Sequence, residues 1–306
     1  MAFTPNLRAA SFMSISMAAF TMNDAITKSL VDEMNAGQVM FVRGVFATIL
    51  VAVLAWQQKA LVAPLRALHP LVLVRGVCEL GATITFLTAL AYMPIANISA
   101  ILQSLPLAVT MGAALFFGEP VRWRRWLAIS IGFAGVVVIV KPGAEGFNIY
   151  ALFALASVLF CAMRDLATRG LPPEIPSLLV STVTAAVVAL FGAVLIAPMG
   201  GWTELTLEST GRLAGAALLL FPGYVFIILA MRTGEISFVA PFRYTALLWA
   251  ILLGIVFFDE VPDAVMLVGA TLVIGSGLYS LYRESIVGKR RPISESTTEA
   301  MAPDGT

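Results

Sequence analysis

Apolar residues fill whole segments of this chain and do not alternate with polar ones. Leu127 to Val140 and Ile149 to Cys161 carry no charged residue at all. Polar breaks divide the sequence into ten such segments, 8–30, 38–57, 71–92, 95–117, 125–140, 148–169, 177–197, 212–231, 236–257 and 264–282. Their lengths, about 17 to 24 residues, match what a helix needs to cross the hydrocarbon layer. A segment in lipid must satisfy its own backbone, and none shows the alternation of a barrel strand, so the pattern predicts helices.

The pattern is also written twice. Met22-Asn23-Asp24-Ala25-Ile26-Thr27-Lys28-Ser29-Leu30 returns as Met163-Arg164-Asp165-Leu166-Ala167-Thr168-Arg169-Gly170-Leu171, a shift of 165 − 24 = 141. The same shift carries Phe116-Phe117-Gly118-Glu119 onto Phe257-Phe258-Asp259-Glu260. The expected organisation is a first five-helix repeat over 1–141, a second over 142–282, and a disordered cytoplasmic tail over 283–306 that contains Lys289-Arg290-Arg291. Duplication in a membrane chain points to a transporter, because related halves offer two packings around a shared central site.

Composition agrees: of 306 residues, 59% are hydrophobic and 12% charged, and mean hydropathy is +0.93, which excludes a soluble domain. Basic residues set the orientation. With the N-terminus in the cytoplasm, the inner face collects Arg8, Lys59, Arg66, Arg75, Arg122, Arg124, Arg125, Arg169, Arg232, Arg283, Lys289, Arg290 and Arg291, against Lys28, Lys141 and Arg212 outside. Both termini are therefore expected inside. Five crossings per repeat is an odd number, so the second half inserts upside down relative to the first. The first segment is too long for a signal-peptide core and is expected to be retained.

Charges within the spans are costly and mark a cavity or a partner. There are six: Asp24, Arg43, Glu79, Arg164, Asp165 and Arg243. At a rise of about 1.5 Å per residue, Asp24 and Arg43 lie roughly 8 to 9 Å below the outer face, and the other four roughly 6 to 12 Å above the inner one. Arg43 reads as a clamp on Asp24 or on helix-end carbonyls. Arg75 and Glu79, four apart, can bridge on one helix face at the cytoplasmic entrance, although Glu79 could turn inward. Asp24 and Asp165 are repeat equivalents, each either lining the common axis or paired structurally. Arg164 and Asp165 are adjacent and point about 100° apart, so one of them should face a neighbouring helix.

Pro106, Pro222 and Pro241 are candidate hinges, since proline removes a helical hydrogen bond. Asn97, Ser99, Gln103, Ser104, Tyr224, Tyr244, Thr245 and Trp249 are the polar and aromatic groups near them. Trp56, Trp123, Trp126 and Trp202 read as interface anchors, whereas Trp249 lies deeper. Ala128, Gly132, Gly211, Gly215, Gly269, Gly275 and Gly277 permit close helix contact, and the fifth and tenth spans are assigned to packing or a dimer seam. Cys78 and Cys161 read as packing residues without a disulfide. His69 is the lone histidine, in a loop before Pro70. No metal-ligand motif and no nucleophile beside a base argue for a membrane enzyme, and no ring of selectivity charges argues for a channel.

Ala89-Leu90-Ala91-Tyr92-Met93-Pro94-Ile95-Ala96-Asn97-Ile98-Ser99-Ala100, then Pro106, Gly118-Glu119, Gly132 and Gly135, resembles the drug/metabolite transporter superfamily, specifically an EamA-type ten-helix member. Arg43 within Phe41-Val42-Arg43-Gly44 fits the arginine common in that family's second helix. Leu247 stands where a proline would oppose Pro106, and Thr184 stands opposite Arg43. The resemblance implies an all-α protein of ten transmembrane helices, two inverted repeats around a central cavity, and alternating access. It further implies a bacterial inner-membrane exporter of amino acids, aromatic ones included, with nucleotide-sugar or cationic-drug transport as alternatives.

On that reading Asn23, Asp24, Glu79, Gln103, Asp165, Arg243 and Tyr244 would meet the polar ends of the substrate, and Phe20, Phe86, Phe160, Tyr224 and Trp249 its side chain. Arg43, Arg75 and Arg164 would pair structurally. The expected partners are a small-molecule substrate and the lipid bilayer, with no cofactor, metal or nucleic acid; monomer and homodimer both stay open.

Overall fold

The computed structural model describes residues 5–31, 33–58, 68–119, 121–141, 148–172, 174–234 and 236–287. Lys59, Arg66 and Lys289-Arg290-Arg291, with nearly all of the expected tail, lie outside them. The described chain runs α1 (Pro5–Lys28), α2 (Ala36–Gln57), α3 (Pro70–Tyr92), α4 (Ile95–Leu102), α5 (Leu105–Phe117), α6 (Trp123–Val140), α7 (Tyr150–Arg169), α8 (Ser177–Ile196), α9 (Leu207–Thr233), α10 (Ile236–Val239), a 3-10 turn (Ala240–Tyr244), α11 (Thr245–Phe258) and α12 (Ala264–Val287). Among the described residues, nine helices are long and apolar enough to cross a membrane, counting α4 with α5 as one, and the 3-10 turn with α11 as another. The tenth, α1, has 24 residues and is made less apolar by Arg8, Asn23, Asp24 and Lys28. The chain is a multi-pass, all-helical membrane protein.

Helix ends repeat in the 141 register. Lys28 and Arg169 close α1 and α7, Ala36 and Ser177 open α2 and α8, Phe117 and Phe258 close α5 and α11, and Trp123 and Ala264 open α6 and α12. The stop signals repeat as well. Gly118 and Asp259 each adopt a left-handed backbone, φ 64° and 53°, and the next amides, Glu119 and Glu260, donate back to the carbonyls of Ala113 and Gly254. Glycine takes this conformation without a Cβ clash, and aspartate is among the few other residues that visit it.

The starts of α2, α3 and α9 are capped by side chains. Asn35 Oδ1 accepts from the Gln38 amide at 2.9 Å, His69 Nδ1 accepts from the Leu71 amide, and Thr206 with Ser209 forms a reciprocal box. Within the spans, Thr21, Thr27, Thr83, Thr88 and Thr184 return their hydroxyls to the carbonyl four residues back, which hides a polar group from lipid.

Packing crosses between the halves. α1 lies on α9, α3 on α7, α2 on α8 and α6 on α12, the pairing that a two-fold exchange of repeats produces. The pairs α2·α8 and α6·α12 touch through small residues. A methyl added at Gly135 would sit 2.7 Å from the Gly269 carbonyl oxygen, and one at Gly192 would sit 2.6 Å from the Phe41 amide nitrogen. Such contacts replace hydrophobic drive between helices in lipid. Gly211, Gly215 and Gly275, expected to serve the same purpose, meet no neighbour within 4 Å.

The helix breaks are more symmetric than the prolines suggest. α4 ends at Leu102 and α5 begins at Leu105, so Pro106 opens a helix and does not bend one. Leu247 occupies the equivalent place, yet the second half also breaks there, through the 3-10 turn that begins beside Pro241. Pro222 does lie inside α9, and the neighbouring Gly223 carbonyl accepts a bond from Ser16 Oγ at 2.6 Å. A buried hydroxyl on α1 thus finds its partner in the α9 backbone and ties the two repeats together there.

Candidate functional site

The helix pairing encloses a substantial opening among the described residues. α2 and α8 run antiparallel, with Gly37 against Ile196 and Gly44 against Ala189, and are in backbone contact at the end of the molecule that carries Lys28. Toward the end that carries Arg169 they line a cavity of about 500 Å³, along α2 from Met40 to Gln58 and along α8 from Val188 back to Leu178. α1, α3, α7 and α9 complete the wall. The volume falls in the range of roughly 300 to 1,000 Å³ typical of small organic ligands.

Lining positions follow the repeat. Phe20 and Cys161, Asn23 and Arg164, Met40 and Ser181, Arg43 and Thr184, and Thr83 and Tyr224 all face the cavity and are all 141 apart. Asp24 lines it, but its equivalent Asp165 is absent from the wall. The pair that shares the axis is Asn23 and Arg164. Cys161 is therefore a wall residue as well as a packing one, while Cys78 is buried, and both are free thiols.

Two polar groups share the wall with apolar and aromatic residues. In the first, Arg43 does not clamp Asp24 directly. Its Nη1 reaches Asn23 Oδ1 and Thr27 Oγ1, each at 3.4 Å, and Asn23 Nδ2 donates to Asp24 Oδ1 at 2.9 Å, so the amide relays between the charges. In the second, Arg164 Nη1 lies 3.2 Å from Glu79 Oε2, and Arg164 Nε donates to Asp165 Oδ1 at 2.9 Å. Adjacent residues thus bond side to side despite their 100° separation, because the long arginine folds back over its neighbour. Arg75 Nη1 stands off at 3.8 Å from Glu79 Oε2. The three arginines expected to be structural all line the cavity. In the same wall Phe20 packs edge-on to Tyr224 with centroids 5.1 Å apart, and Phe86 joins them as a lining residue.

The other expected contacts lie elsewhere. Phe160 covers Gly81 at the α3–α7 seam. Trp249 Nε1 donates to the Ser14 carbonyl at 3.1 Å and packs in the apolar cluster of α1 and α9. Tyr244 is buried beside Gly277, and Gln103 Nε2 comes within 3.5 Å of the Arg243 carbonyl where the two broken helices cross. Asp165 is buried between Arg164 and this crossing, and Arg243 is among the charges that act on it. Discontinuous helices meeting at mid-depth are the usual surroundings of a carrier site. Trp56, Trp123 and Trp202 are well exposed at helix ends, as anchors should be.

A scan against family models matches residues 7–141 and again 148–282 to the EamA-like transporter family. The chain belongs to the EamA-like transporter family. Its relatives within that family span nearly the whole chain. The S-adenosylmethionine uptake transporter of Rickettsia conorii is 26% identical over 92% of this chain and 95% of its own length. The pseudopaline exporter of Pseudomonas aeruginosa is 28% identical over 84% and 91%. A riboflavin transporter of Rhizobium johnstonii is 27% identical over 68% of each chain. A solved protein structure with 17% identity covers 92% of the chain at a TM-score of 0.62, which speaks for the fold alone. The chain is thus an EamA-like membrane transporter, and the names of these relatives include uptake as well as export.

Proposed function

We propose that this EamA-like protein is an alternating-access exporter of amino acids, aromatic ones included, and of solutes that carry an amino-acid moiety, in the bacterial inner membrane with both termini cytoplasmic. The observation that carries the reading is the cavity itself, which Asp24, the Arg75–Glu79–Arg164 group and the aromatic residues Phe20, Phe86 and Tyr224 line together. A carboxylate at one pole suits an ammonium, arginines at the other suit a carboxylate, and Phe20, Phe86 and Tyr224 suit an organic side chain. S-adenosylmethionine, named for one relative, is itself a methionine with an adenosyl group. The basic-residue asymmetry puts the Arg169 end in the cytoplasm, so the cavity would load from inside. Three arginines against two carboxylates in the wall favour, as a second reading, a solute with a net negative charge such as a nucleotide sugar.

Thermal unfolding of the detergent-purified protein with phenylalanine, threonine, S-adenosylmethionine, riboflavin, a nucleotide sugar and a quaternary dication tests the choice. At 100 times its Kd a ligand adds about 2.7 kcal/mol to stability, a clear rise in Tm. Saturable stabilisation by the amino-acid solutes is expected. Stabilisation by the nucleotide sugar alone would contradict the reading.

A further inference from the structure

We propose that Arg75 is the carboxylate anchor of the cavity, the point that holds the anionic end of the transported solute. The inference rests on the zwitterion reading above and assigns one of its poles. Arg75 is 3% exposed at its side chain and lines the cavity, yet its Nε and Nη1 have no hydrogen-bond partner among the described residues. The other cations are engaged. Arg164 holds both Glu79 and Asp165, and Arg43 is bonded to Asn23 and Thr27. Glu79 satisfies Arg164 first, at 3.2 Å against 3.8 Å for Arg75, so the i,i+4 pair is a loose ionic contact without a hydrogen bond. A buried guanidinium with two idle nitrogens in the cavity wall keeps donors for a solute that enters, and a carboxylate accepts from them.

The test is counterflow in liposomes with phenylalanine, phenylalanine amide and phenethylamine for wild type, Arg75→Gln and Arg75→Lys. In the wild type the two compounds without a carboxylate are expected to compete about ten- to a hundredfold less well than phenylalanine. Arg75→Gln should raise the KM of phenylalanine by a similar factor and leave the two amines unchanged, with partial recovery in Arg75→Lys. Equal competition by phenylalanine and its amide in the wild type overturns the assignment, even if Arg75→Gln does not fold. Unchanged KM in a folded Arg75→Gln overturns it too. In both cases exchange of phenylalanine leaves the zwitterion reading standing, whereas no exchange of any amino-acid solute by the wild type removes both.

A separate observation carries a second inference. Lys28 bonds Glu260 at 2.5 Å and lies 5.3 Å from the Phe258 ring, while at the opposite end Arg169 bonds Glu119 and lies 5.7 Å from the Phe117 ring. All three residues of one set map onto the other by the shift of 141, and each set joins one repeat to the other. The geometry points to a pair of inverted latches, one at each end and both formed in this structure, whose relative strength sets which face of the cavity opens. The Lys28 latch is the tighter. Its side chains are 11% and 19% exposed against 34% and 24%, Lys28 also bonds the Met93 carbonyl at 2.5 Å, and Glu260 accepts from the Ile95 amide at 2.8 Å. That matches contact of α2 with α8 at the same end.

Cys161 in the wall reports the outcome through alkylation by an impermeant maleimide from either face of oriented vesicles, in a Cys78→Ser background. Glu260→Gln is expected to raise labelling from the Lys28 face by about fivefold, and Glu119→Gln to shift labelling the other way. Lys28→Arg should keep the wild-type sidedness. Unchanged sidedness in both glutamine variants would overturn the latches.

Discussion

Arg164→Gln is expected to lower the stability of the protein in detergent by about 3 to 5 kcal/mol, because it removes the one cation shared by two largely buried carboxylates. Arg164 bonds Asp165 at 2.9 Å and Glu79 at 3.2 Å, and Asp165 is 5% exposed at its side chain. Without the guanidinium both acids face a low-dielectric wall and each other. Neutralising the whole group, in Arg75→Gln/Glu79→Gln/Arg164→Gln/Asp165→Asn, should restore most of the loss, since removing a complete ionic group costs little beside breaking it. Thermal unfolding of the two variants reads this directly. An unchanged midpoint for Arg164→Gln would show that the network is only a surface feature of the cavity. The expected cost is large because Asp165 Oδ2 is already without a hydrogen-bond partner.

The second large effect is expected at the other polar group. Asp24→Asn keeps the side-chain shape, and the Asn23 bond to its Oδ1 has a carbonyl oxygen to replace the carboxylate, so the fold should survive. What is lost is a charge facing the cavity. Counterflow of phenylalanine should fall by about ten- to a hundredfold in kcat/KM, the value of a charge-assisted hydrogen bond to an ammonium. Deaminated phenylalanine, which keeps the carboxylate, should be far less affected. A folded Asp24→Asn that exchanges phenylalanine at the wild-type rate would remove the ammonium pole from the account.

Much of the fold was legible in the sequence because lipid enforces it. Ten apolar segments and one shift of 141 name ten helices, and the helix ends at Lys28 and Arg169 or Phe117 and Phe258 return in that register. The site was legible in part. Phe20, Asn23, Asp24, Glu79, Phe86 and Tyr224 do line the cavity, whereas Gln103, Phe160, Asp165, Arg243, Tyr244 and Trp249 lie outside its wall. Charge alone could not separate the two groups, since Asp165 differs from Asp24 only in having an arginine before it that takes its place on the axis. Arg43, Arg75 and Arg164 were missed as wall residues because an intramembrane arginine near an acid reads as paired, and partner geometry is not encoded in spacing. A usable signal existed: Arg43 and Thr184 are equivalents, and an unmatched pair of polar residues at one repeat position suits a shared axis.

Lys141 and Asp263 make an exposed contact between the repeats. The two lie 2.5 Å apart in the loops at the Lys28 end, and the hydrogen bond from Lys141 holds the Asp263 carboxyl below the usual aspartate range. Such exposed pairs contribute little to stability and are screened by salt. At the end where the cavity is closed the repeats are also joined through better-buried partners, Lys28 to Glu260 and Gln38 to Thr203.

The central claim is that one cavity carries an amino-acid solute across the membrane by exposing it to each face in turn. Counterflow of labelled phenylalanine into proteoliposomes loaded with unlabelled phenylalanine, over a range of concentrations and with and without a pH gradient, tests it most directly. Saturable uptake that accelerates with substrate on the far side is the predicted result. Uptake that rises linearly with concentration and ignores the far side, or no uptake at all, would contradict it.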